Sequence, residues 1–132
     1  MPQATDIILN GGLATPVGRT FALNTPSAGI NSVAEWQYRK GNTPAGFPTI
    51  TSSASRSKSG IRRTKIKLVV PYVVTDPVSG LPMVADKFEF NGDWAFGSMF
   101  PEDQKADAVA FFSNLLANSL IKSLIRDANP AT

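Results

Sequence analysis

The sequence predicts an α+β domain in which strands come first, two helices come last, and the helices lie on one face of an antiparallel sheet. Three observations carry this. In "IRRTKIKLVVP", residues 61–71, Arg63, Lys65 and Lys67 alternate with Thr64, Ile66, Leu68 and Val70. That is the period of a strand with two chemically different faces. In "KFEFNGDWAF" the same alternation sets Phe88, Phe90, Trp94 and Phe96 against Glu89, Asn91, Asp93 and Ala95. After Phe100 the apolar residues switch to helical spacing.

The elements follow in order. "TDIILNGG" and "RTFALN" read as two short strands around a turn containing Gly and Pro, an N-terminal β-hairpin over residues 1–26. A five-stranded antiparallel sheet is expected over 32–99. "SVAEWQYRK" supplies a strand, "GNTPAGFP" breaks the pattern, and "TITSSAS" resumes it with small β-compatible residues. "RSKSG" is a basic turn, and "TDPVSGLP" is a surface loop rich in Pro and Gly. Burying the four aromatics of the final strand is worth roughly 6–12 kcal/mol as an upper figure, so something apolar must cover them.

The helices, residues 101–128, are the expected cover. Pro101 suits a first helical position, and Glu102 and Asp103 complement the positive end of the helix dipole. Val109, Phe112 and Leu116 form a stripe that Phe111 and Leu115 extend. Asn118 or Ser119 is placed to cap a second helix carrying Leu120, Ile121, Leu124 and Ile125, with Lys122 and Arg126 late in it. That helix is apolar over more of its circumference than one sheet needs, and the sheet has bare edges. Both features point to an oligomer that completes the core.

At 132 residues the chain is a single domain, with 42% hydrophobic and 17% charged residues, an ordinary globular balance. No apolar run approaches the roughly 20 residues that span a bilayer, and the N-terminus lacks the pattern of a secretion signal, so no membrane partner is expected. Without cysteine there is no disulfide framework and no thiolate metal site. The net charge is only +3, but it is segregated. Between Glu35 and Asp76 there is no acid, while Arg39, Lys40, Arg56, Lys58, Arg62, Arg63, Lys65 and Lys67 all fall there. Such a block favours an anionic partner, most commonly nucleic acid. A solvated face with lysines guarding a sheet edge explains the same block more plainly.

Catalysis has little to work with. There is no histidine for acid–base chemistry and no cysteine nucleophile. Glu89 and Asp93 share a face but stand roughly 13 Å apart, too far for a paired-carboxylate mechanism. The glycines lack a phosphate-cradling spacing. No enzyme activity, cofactor, metal or small-molecule substrate is therefore expected. The outward sheet face is better equipped for RNA: Thr51, Ser53 and Ser55 share one parity beside the row Arg63, Lys65 and Lys67. Short hydroxyls beside cations suit a 2′-OH and an exposed base edge. Asn91 is placed to read a base edge, and Glu89 and Asp93 to accept from amino groups or temper non-specific affinity.

The order of elements, with "SVAEW" at 32–36, "KIKLVVP" at 65–71, the C-terminal "LIKSLIRDANPAT" and the ungapped "TSSASRSKSGIRRTKIKLVVP", resembles the coat proteins of single-stranded RNA bacteriophages, the leviviruses, over nearly the whole chain. The resemblance implies an interlocked homodimer with a ten-stranded sheet, closing into an icosahedral T=3 capsid around single-stranded genomic RNA. It also implies binding of an RNA hairpin as translational repressor, and assembly into virions in the cytoplasm of a bacterial host. By position it places Thr51, Ser53 and Lys67 in an adenine pocket with Val33 beside it, and Asn91 on the final strand. Lys65 and Glu89 depart from the family pattern, where threonine and tyrosine are usual, and these departures bear on which hairpin is recognised. Loop 72–82 is shorter than usual and, without cysteine, offers no cross-link, so a shell is expected to be insensitive to reductant. The reading that competes with a capsid protein is a non-viral dimeric nucleic-acid-binding regulator. An extracellular carbohydrate-binding sandwich fits the cation block poorly.

Overall fold

The computed structural model describes residues 3–12, 15, 17–41 and 43–130. Strands β1 (Ile7–Asn10), β2 (Gly18–Thr25), β3 (Val33–Gln37), β4 (Thr49–Arg56), β5 (Arg62–Thr75) and β6 (Pro82–Phe96) precede helices α1 (Glu102–Ala117) and α2 (Ser119–Asp127). Residues up to Phe96 form one compact unit, and residues from Gly97 onward form a second.

The first unit is a single antiparallel sheet in the order β1-β2-β3-β4-β5-β6. This corrects the expectation of a hairpin beside a five-stranded sheet: the chain contributes six strands. The reason is that β2 pairs on both sides. Phe21 stands opposite Ile7 of β1, while Ala22 and Leu23 stand opposite Gln37 and Trp36 of β3. β2 meets β1 over residues 18–21 and β3 over residues 22–25, with a register shift between Leu23 and Thr25 in the second pairing. The Gly11 amide donates to the Val17 carbonyl across the β1–β2 link, and Pro16 of the expected turn lies outside the described residues.

Directly opposed residues on antiparallel strands share a face, so the register sorts every side chain. Trp36, Ile50, Leu68 and Phe90 fall on one side, and Glu35, Thr51, Lys67 and Asn91 on the other. The apolar parity read from β5 and β6 therefore meets across the ladder, Thr64 against Trp94 and Val70 against Phe88. Within the sheet unit the core is small: Phe21, Ala34 and Ile50 are the buried hydrophobics among the described residues. The N-terminal segment closes over part of the same face. Trp36 Nε1 donates to the Thr5 carbonyl at 2.7 Å, and the Leu23 amide donates to Asp6 Oδ1 at 2.8 Å.

Along β5 and β6 the apolar face is only partly buried. Phe88 is 49% exposed, Phe90, Trp94 and Phe96 are half-buried, and no residue of β5 or β6 is buried. One chain therefore realises only part of the burial expected for the aromatics. Gly92 interrupts their row for a steric reason. A Cβ there would lie 2.5 Å from Trp94 Cη2 and 3.1 Å from Phe90 Cε1, so only glycine lets the two rings close over the backbone.

Strands β5 and β6 extend past the sheet as a long hairpin, with a register shift between Tyr72 and Val73. The 3₁₀ turn Pro44–Gly46 packs against it: a Cβ on Gly46 would lie 2.5 Å from Val73 Cγ2. The hairpin's tip is tight, with Asp76 Oδ1 accepting from the Val78 amide at 2.9 Å. Bonds to the backbone of Val78 and the side chain of Ser79 hold the Asp76 carboxyl below the usual range.

In the second unit α1 opens on Glu102, one position later than expected, with Pro101 as the flanking cap residue. Asn118 caps α2, its side chain accepting from the Leu120 amide at 2.9 Å, and Ala128 with φ 52° ends it. Phe112, Leu116, Ile121 and Leu124 are half-buried. Val109, Phe111 and Leu120 are exposed. Among the described residues no single helix is long and apolar enough to cross a membrane.

Candidate nucleic-acid interface

The polar face is built from the central strands. Two rows of opposed residues cross it: Val33, Ser53, Lys65 and Asp93, then Glu35, Thr51, Lys67 and Asn91. Up to Ser55, β4 is made of small and β-branched residues, and its register with β5 sets Thr51 opposite Lys67 and Ser53 opposite Lys65. Together Val33, Thr51, Ser53, Lys65, Lys67 and Asn91 line a cavity of about 400 Å³, with Asp93 also on its wall.

Six of the nine residues singled out from the sequence thus converge on one hollow, and three lie outside it. Ser55 and Arg63 oppose each other nearer the β4–β5 turn and border a different cavity of about 540 Å³, which also touches Thr5, Trp36 and Phe96. Glu89 stands opposite Val69, one step beyond Asn91 on the same face. Lys65 and Lys67 remain exposed, while Thr51 and Ser53 are half-buried. The hollow therefore offers recessed hydroxyls beside exposed cations.

Tertiary structure changes the electrostatics read from the chain. The cation block has no acid in its own stretch of sequence, but β6 brings acids alongside it. Arg63 Nη1 lies 3.6 Å from Asp93 Oδ2. Glu89 Oε1 lies 2.8 Å from Lys87 Nζ and 3.7 Å from Lys67 Nζ. The hydrogen bond from Lys87 and then the charge of Lys67 hold the Glu89 carboxyl below its ordinary range, and Glu89 in turn raises Lys87. Among the described residues Lys65 has no carboxylate within ion-pair distance. It is the cation of the hollow most available to an incoming anion.

Lys87 was not singled out from the sequence. Its signal was there: in "KFEFN" it has the parity of Glu89 and Asn91, and therefore their face. Among the described residues no three acidic side chains converge to hold a metal ion.

The comparisons with known proteins agree with this architecture. No curated protein matches the sequence. Solved structures do. A virus-like particle of bacteriophage NT-214 superimposes with a TM-score of 0.87 at 23% identity, covering 99% of this chain and 100% of that one. A virus-like particle of Beihai levi-like virus 21 gives 0.86 at 16% identity, with 99% of each chain covered. The bacteriophage GA protein capsid gives 0.76 at 25% identity, covering 96% of this chain and 95% of that one. A family profile described as "Levivirus coat protein" matches residues 2–131. From the profile and the shared fold, this chain belongs to the levivirus coat protein family, and its role is that of a structural capsid protein.

Proposed function

We propose that the chain dimerises, self-assembles into an icosahedral shell and packages single-stranded RNA against its polar sheet face. We further propose that it binds an RNA hairpin there as a translational repressor. The observation that carries the RNA reading is the hollow lined by Val33, Thr51, Ser53, Lys65, Lys67 and Asn91. Recessed hydroxyls, an amide and flanking lysines answer the needs of a splayed base and its phosphates.

Assembly is supported by what one chain leaves uncovered. β6 is a 15-residue edge strand, and a long open edge is a template for pairing with another copy. Its apolar face carries Phe88 at 49% exposure, while the helical unit exposes Phe111 at 72% and Val109 at 65%. Pairing two β6 edges gives the continuous dimer sheet, and each copy's helices supply apolar cover to its partner. Self-assembly matches the virus-like particles whose chains share the fold. The role is structural and involves no catalysis, with assembly in the host cytoplasm and the virion as destination.

The test is size-exclusion chromatography and electron microscopy of the purified full chain, with extraction of any nucleic acid that accompanies it. Closed shells containing RNA are expected. A discrete dimer that stays a dimer when RNA is added overturns the capsid-assembly reading.

A further inference from the structure

On β6, Glu89 is shared by two lysines that come from different strands. Its Oε1 lies 2.8 Å from Lys87 Nζ, on the same strand, and 3.7 Å from Lys67 Nζ on β5. Both ammonium groups therefore converge on a single oxygen, and their separation cannot exceed those two distances laid end to end. That is the reach from which two lysines grip one phosphate. All three side chains are at least partly exposed, Lys67 at 47%, Lys87 at 59% and Glu89 at 31%. The trio opens to solvent beside the hollow, because Lys67 lines it and Asn91, next on the face after Glu89, lines it too.

We propose that Lys67 and Lys87 form a two-lysine clamp for an RNA backbone phosphate, held closed in the free protein by Glu89, whose carboxylate occupies the phosphate's place. The clamp rests on the reading of the polar face as an RNA surface and adds to it a backbone-binding subsite and a built-in competitor. Free carboxylate and phosphate oxygen accept from the same donors, so RNA must displace Glu89 before it gains either lysine. The displacement lowers affinity for any phosphate chain equally. Strands that also place a base in the hollow retain that gain and are favoured over strands that do not. Because that cost is the same for every strand, Glu89 sets how tightly RNA is held and leaves the preference between strands to the hollow.

Because an exposed acid near RNA weakens binding through its charge alone, a single substitution cannot separate the two explanations. A double-mutant cycle can. The readout is filter binding of an oligouridylate to the full-length, unassembled chain between about 50 and 200 mM salt. Glu89→Gln frees both lysines while keeping the side chain's shape. It is expected to tighten binding roughly tenfold at the low end of that range, and to steepen the slope of log affinity against log salt by about 0.7, one single-strand phosphate. Lys87→Ala alone is expected to weaken binding by less than about threefold, since Glu89 already occupies that lysine. In the Glu89→Gln background the same change is expected to remove most of the gain.

Additive effects of the two substitutions, or a Glu89→Gln protein with unchanged affinity and slope, overturn the clamp while wild-type binding leaves the RNA surface intact. If neither wild type nor Glu89→Gln binds at low salt, the RNA reading fails and the clamp fails with it.

Discussion

Ser53 of β4 stands directly opposite Lys65 of β5, so a recessed hydroxyl and an exposed cation without an ion-pair partner among the described residues occupy one point of the polar face. The pairing places a short-range donor and acceptor beside a long-range charge. If the polar face binds RNA as proposed, specific and non-specific contributions fall within the same few ångströms.

From that pairing, Lys65→Ala is expected to lower RNA affinity roughly fivefold to tenfold at moderate salt. Lys122→Ala, on α2 and outside the cavity lining, is expected to change it by less than about twofold. Parallel titrations with one fluorescent RNA measure both. Equal losses would remove the sheet face from the proposal.

Glu89 and Lys87 predict how stability depends on pH. Glu89 is held below its ordinary value of 4.5, so its contribution is fully present above that value and is lost as pH falls through the lower, folded-state value. Lys87 is raised above 10.5, so its contribution is present below that value and is lost as pH rises through the folded-state value. Denaturant midpoints recorded across the acid range are expected to fall less steeply for Glu89→Gln than for wild type. Both groups are exposed, so the effect is small.

Gly92→Ala tests the packing of the aromatic row. The added methyl meets Trp94 Cη2 at 2.5 Å and Cζ3 at 2.9 Å, so the indole must swing away or the strand must shift. A loss of about 1–3 kcal/mol is expected from urea unfolding, with a change in tryptophan fluorescence reporting the moved ring. A neutral outcome would show that Trp94 has another rotamer available at no cost.

Phe111→Ser tests assembly. The ring is 72% exposed in one chain, so its removal is expected to leave the chain's own fold nearly as stable, within about 0.5 kcal/mol. If a partner buries that ring, dimerisation and shell formation weaken by about 3 kcal/mol or more per site, read as a shift of the assembly threshold to higher protein concentration. Unchanged shells would place Phe111 outside the interface.

Much of the architecture was legible in the chain because it is written at short range. A strand alternates every residue, so Arg63, Lys65 and Lys67 had to part from Thr64, Ile66 and Leu68 wherever that strand lay. The same period grouped Phe88, Phe90, Trp94 and Phe96, and the change of spacing after Phe100 marked the helices. The hydroxyls of β4 and the lysines of β5 were chosen by parity, with Val33 added by family resemblance, and most of them line one hollow.

What lay beyond reach is set by register between segments far apart in sequence. Only the pairing of β2 with both β1 and β3 makes six strands one sheet, and no local period encodes a strand's second neighbour. Only the β5–β6 ladder brings Asp93 to Arg63, and Glu89 with Lys87 to Lys67. A block of cations that is uncompensated along the chain is partly neutralised in space. Side-chain chemistry and spacing by themselves determined which residues share a face. The hydrogen-bonded register decided which charges meet there, because Coulomb interactions depend on distance through space and not on separation along the sequence.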